Sequence, residues 1–79
     1  MNNDSHCRHS IEFMLNTINT ILARTSTTLH EAHACILRNE QNLAIGTAVC
    51  AERDLEAALI LYRAVLAVHR INREEAPCR

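Results

Sequence analysis

Residues 55–71 read LEAALILYRAVLAVHRI. Placed on a helical wheel, Glu52, Glu56, Arg63 and Arg70 form one narrow polar stripe. Leu55, Leu59, Tyr62, Leu66 and His69 line one side of it, and Ala57, Ala58, Leu61, Ala64, Val65 and Val68 line the other. The apolar arc covers roughly two thirds of the circumference, against the ~100° stripe that one packing partner needs. A single antiparallel helix cannot cover both flanks. The stretch therefore predicts a helical hairpin with an unspent apolar flank.

Upstream, the polar run Arg38-Asn39-Glu40-Gln41-Asn42 predicts the turn, because Asn tolerates left-handed and capping positions. Helix 2 then begins near Gly46, or after a longer loop capped by Thr47, and runs to about Arg73. Arg70 and Arg73 suit its C-terminal dipole, and Glu52 and Asp54 lie towards its start. Before the turn, Ile11, Met14, Leu15, Ile18, Ile21, Leu22, Leu29, Ala32 and Ile36 recur mostly at spacings of three and four, which predicts an amphipathic helix 1. The run Thr25-Ser26-Thr27-Thr28 is its weak point, and Thr28-Leu29-His30-Glu31 fits a capping box. The phase 15, 18, 22, 25, 29, 32, 36 nevertheless runs straight through. One continuous helix is expected, with three helices and a break near 25–28 as the alternative.

The fold class expected is all-α: one antiparallel two-helix hairpin over residues 1–79, with 1–7 and 74–79 frayed. Leu22, Leu29, Leu55 and Leu59 are expected in its core. A chain of 79 residues buries only about 60% of its unfolded surface, so association with a partner is a common remedy.

Composition excludes several functions. The net charge is −1, with eight Arg, no Lys and no run of like charge. A nucleic-acid interface needs a basic stripe, so none is expected. The apolar stretch 57–71 carries Arg63 and is too short to span a bilayer. The polar start MNNDSHCRHS lacks the apolar core of a signal peptide, so a cytoplasmic location is expected.

Four Cys and five His invite a metal site. His6, Cys7 and His9 cluster, and His30 and His33 lie one turn apart near Cys35. Paired Cys-x-x-Cys spacings are missing, so no metal or other cofactor is expected. Cys7 with Cys78 and Cys35 with Cys50 share a midpoint near residue 42.5, as a stapled hairpin would. The reading adopted is inert core thiols at Cys35 and Cys50, with Cys7 and Cys78 on loose termini. No Gly-rich phosphate loop or nucleophile constellation is present, so no enzyme is expected. Glu52, Asp54 and Glu56 read as a solvated surface, and His69 as a packed side chain.

The region from about Thr28 to Leu66, half the chain, resembles the small helical-hairpin co-chaperones of type III secretion needle subunits. The match includes Leu29 and Glu31, Arg38 at the turn, and Arg53-Asp54-Leu55-Glu56-Ala57-Ala58-Leu59. It departs from the family in a turn poorer in Gly and in its many Cys and His. The resemblance implies a cytoplasmic protein that does no chemistry. It would stabilise a larger tetratricopeptide-type chaperone, and together they would hold the needle subunit until export.

The expected activity is thus a helical interaction module. The alternatives are a homodimeric four-helix-bundle regulator and a small metal- or redox-responsive protein. The partner-binding residues expected are Ala58, Leu61, Tyr62, Val65 and Val68. On this reading Leu61→Asp or Val65→Asp would break association and leave the helices intact. Periodicity alone does not fix which flank of helix 2 faces helix 1, so the opposite assignment of the two flanks stays open.

Overall fold

The computed structural model describes residues 3–75. Helix α1 spans Asn3–Leu37, α2 Gln41–Val49 and α3 Glu52–Glu75. Helices α2 and α3 both return along α1. The fold is the expected all-α hairpin, with a bend in its second arm.

Helix α1 passes through 25–28 without a break, with the three threonine hydroxyls of that run bonded within the helix. The Thr25 hydroxyl donates to the Ile21 carbonyl at 2.9 Å, and Thr27 and Thr28 donate to the Ala23 and Arg24 carbonyls at 3.2 Å. A hydroxyl bonded four residues back finds its partner inside the helix and does not divert the backbone into a turn, though such bonding can bend a helix slightly. The same bond makes Thr25 acceptable in the core, where it is 3% exposed. Residues 3–7, expected to fray, belong to α1. Residues 76–79, including Pro77 and Cys78, lie outside the described residues.

The turn is shorter than expected and α2 starts at Gln41. Asn39 takes φ 65°, the left-handed region. The Asn39 amide donates to the Ile36 carbonyl and the Glu40 amide to the Cys35 carbonyl, both at 2.9 Å. These are the paired bonds of a Schellman motif, with Asn where Gly is commonest. The second arm is not one straight helix either. At its bend, the Cys50 and Ala51 amides donate three residues back, to the carbonyls of Thr47 (3.1 Å) and Ala48 (2.9 Å). This tightening is local. The Leu55 amide reaches the Ala51 carbonyl at 2.9 Å and restarts the α-helical ladder.

The buried and half-buried positions of α1 include one alternation of three and four: Ile11, Met14, Ile18 and Ile21, then Thr25, Thr28, Ala32 and Cys35. The returning arm answers with Ala44, Thr47, Ala51 and Asp54, then Ala58, Leu61, Val65 and Val68. This is the seam of an antiparallel coiled coil, and it keeps its phase across the bend. Ile18, Ile21, Ala58 and Val65 form its buried cluster, with Ile11, Met14 and Leu61 packed against it. Towards the turn both sides of the seam are small: Ala32 and Cys35 on one arm, Ala44 and Ala51 on the other.

The seam corrects the expected core. Leu22, Leu29, Leu55 and Leu59 are 42%, 41%, 46% and 44% exposed. They border the seam instead of filling it. The hairpin is a rod of 60 × 17 × 15 Å, and two helices side by side have no third element to cover their flanks.

Candidate functional site

The exposed leucines are not scattered. On α1, Leu15, Leu22, Leu29 and Ile36 recur every seventh residue, each four positions after a seam residue. That offset puts them in one row along the same edge of the seam. On α3, Leu55, Leu59, Tyr62 and Leu66 repeat at four, three and four. A shallow groove lined by Leu22, Thr25, Ser26, Leu29, His30 and Leu55 joins the two rows. A second hollow, lined by α1 residues alone, includes Leu15 and Phe13 and continues the surface towards the N-terminus. The α1 row meets the α3 row edge to edge, as equivalent flanking positions do in an antiparallel pair.

The opposite edge of the seam is polar on α1, at Thr17, Arg24 and Glu31, whereas the returning arm places Leu43, Ile60 and Ile71 on that side, 55%, 65% and 55% exposed. Arg24 lies there, and its guanidinium donates two hydrogen bonds of 2.9 Å to the Asp54 carboxylate. This pair is exposed on the Arg24 side. The hydrogen bond from Arg24 holds the Asp54 carboxyl below its ordinary value; desolvation opposes it, and the attraction of the Arg24 and Arg53 charges adds smaller lowering effects. The same contact raises the Arg24 guanidinium. Asp54 stands at a seam position, so the pair links α3 to α1 there. Arg38 makes a second, local ion pair with Glu40 at 2.9 Å in the turn.

The structure divides the residues expected to bind a partner. Ala58 and Val65 are 7% and 9% exposed and lie in the cluster against α1. Leu61 packs on that cluster and Val68 is half-buried. These four belong to the intramolecular seam, so the two flanks of helix 2 exchange the roles first assigned to them. Tyr62, 52% exposed, remains on the open flank. The α1 row was missed as a surface because it shares its phase with the seam. A signal for it was present. Ile11, Met14, Ile18 and Ile21 alternate at three, four and three, and with them in the seam Leu15 and Leu22 fall to its edge.

The cysteines fall into three environments. Cys35 is buried, Cys7 half-buried and Cys50 exposed, and all three are free thiols. Cys50 was expected in the core, but the bend turns it outward, with its thiol 3.5 Å from the Gly46 carbonyl. Cys7 is helical, not loose, and its thiol lies 3.7 Å from the Val68 carbonyl across the seam. Among the described residues, no three His, Cys, Asp or Glu side chains come together as a metal site would require. Nor is any helix among them long and apolar enough to cross a membrane.

No protein-family model, curated protein or solved structure matches this chain.

Proposed function

We propose that this protein is a non-enzymatic helical interaction module whose working surface is the leucine face beside the seam. One observation carries the reading. Eight large apolar side chains, each 40–52% exposed, form two joined rows along one edge of the rod, whereas the exposed Leu43, Ile60 and Ile71 of the other edge face the polar Thr17, Arg24 and Glu31 of α1. Contiguous apolar surface of this kind marks an interaction site, whereas single exposed leucines are ordinary. A surface polar all round would have served solubility alone.

Within that class, the resemblance of residues 28–66 supports a cytoplasmic co-chaperone of type III secretion. In this role the leucine face docks on a larger tetratricopeptide-type chaperone that holds the needle subunit. The support is the hairpin architecture, the Arg53–Leu59 segment and an apolar face free to dock. Co-expression with the tetratricopeptide protein encoded nearest to it provides the test. A stable complex lost on Leu22→Asp with Leu59→Asp, with helix content kept, is the expected result. A complex indifferent to both substitutions would move the interface off this face.

A further inference from the structure

We propose that the leucine face is also an interface between two copies of this chain, which close face to face into a four-helix bundle. The inference rests on the interaction-module reading and names a partner for it.

Area is the first argument. Leu15, Leu22, Leu29 and Ile36 are 46%, 42%, 41% and 45% exposed. Leu55, Leu59, Tyr62 and Leu66 are 46%, 44%, 52% and 40% exposed. At about 80 Å² apiece they present on the order of 600 Å² per copy, close to the ~800 Å² per partner of a standard interface. Fusing two such faces doubles the number of helices around one core, which is the remedy a thin hairpin lacks by itself. The breadth of the pattern agrees. Apolar residues at two seam positions plus one flanking position are the pattern of bundle helices, and a two-stranded coiled coil needs only the first two.

Charge is the second argument, and it favours a second copy over a charged partner. The two apolar rows themselves carry no charge, so a two-fold axis brings leucine against leucine without burying like charges. The exposed polar stripe bordering the α3 row is acidic at its start, Glu52 and Glu56, and basic further on, Arg63 and Arg70. When α3 crosses its copy antiparallel, the acidic half of each lies beside the basic half of the other. The face is thus complementary to itself.

The test is the mass in solution of the full chain, read by sedimentation equilibrium from about 1 to about 100 µM, the range in which interfaces of modest area assemble. A species of twice the 8.9 kDa chain mass is expected. Leu22→Asp with Leu59→Asp should return it to one chain mass with circular dichroism still helical. Leu22→Gln with Leu59→Gln, milder on the fold, should shift dissociation to higher concentration by at least tenfold. Thr20→Asp, on the far side of α1, should leave the mass unchanged. A wild-type chain that is monomeric throughout overturns the proposal, as does a dimer that survives the Asp and Gln variants. Failure here is distinct from failure of the module reading. A monomer that still binds a tetratricopeptide protein through Leu22 and Leu59 keeps the module and discards the self-pairing.

Discussion

Asn39 is where the chain reverses, and its φ of 65° explains why the turn needs so few residues. A residue with a Cβ pays about 1–2 kcal/mol for that conformation, less when a short polar side chain bonds locally. Asn39→Ala should therefore lower the melting temperature, and Asn39→Gly should keep or raise it; thermal unfolding of the two variants checks the order. Asp54 is the other residue whose chemistry is visible. Its carboxyl titrates below the ordinary 3.8 because Arg24 binds the charged form. A carboxyl depressed on folding adds stability above its unfolded value, and that stability is lost as pH falls through the folded value. Urea midpoints of wild type and Asp54→Asn should thus differ by a small constant amount from about pH 7 to about pH 5 and converge below pH 3.8. A gap that widens on acidification would show that the pair does not act through Asp54 ionisation.

The elements owe their lengths to different causes. Helix α1 holds 35 residues because its partner arm covers it for most of its length, and its threonine hydroxyls donate to carbonyls four residues back within it. Helix α2 is only nine residues, below the ~12–15 at which an isolated helix becomes even marginal in water. It persists because Ala44 packs on α1, where it is 2% exposed. Its one intrinsic weakness is Gly46. A Cβ built there meets nothing within 4 Å, and the backbone is in the ordinary helical range. Gly46→Ala should stabilise the protein by about 0.5–1 kcal/mol, since glycine loses more freedom on entering a helix. A chemical-denaturation midpoint that falls would mean the bend at Cys50 and Ala51 needs a flexible approach.

At the scale of the whole molecule, the buried seam and the exposed leucine rows are two separate surfaces. Ile18, Ile21, Ala58 and Val65 hold the hairpin together, while Leu22, Leu29, Leu55 and Leu59 border it. Ile21→Ala should cost ~2–4 kcal/mol in the isolated chain, as a buried truncation does. Leu29→Ala should cost clearly less in the monomer and reveal itself only when the face is covered. The seam position of Val65 changes what Val65→Asp means. An unpaired carboxylate against α1 should unfold the hairpin instead of freeing it from a partner. Helical circular dichroism retained in Val65→Asp would overturn the assignment of the two flanks.

By itself the sequence determined the class and the connection. Spacings of three and four on both sides of a polar turn leave little alternative to a helical hairpin, and the excess apolar arc of residues 55–71 announces an unmet surface. Tertiary structure decided which flank turns inward. On α1, the set Ile18, Thr25 and Ala32 can pair with Leu15, Leu22, Leu29 and Ile36, or with Met14, Ile21, Thr28 and Cys35; both keep a helical period. Hydropathy favours the leucines. The chain buries the smaller set because the returning arm presents Ala44, Ala51 and Ala58, whose size demands close approach of the two backbones. Small residues on both arms meet that demand, and leucines between them would wedge the helices apart. A one-dimensional pattern weighs each residue alone, whereas this choice depends on the summed volume of two residues more than ten positions apart. The same choice set the leucines outside, in two rows along one edge of the seam.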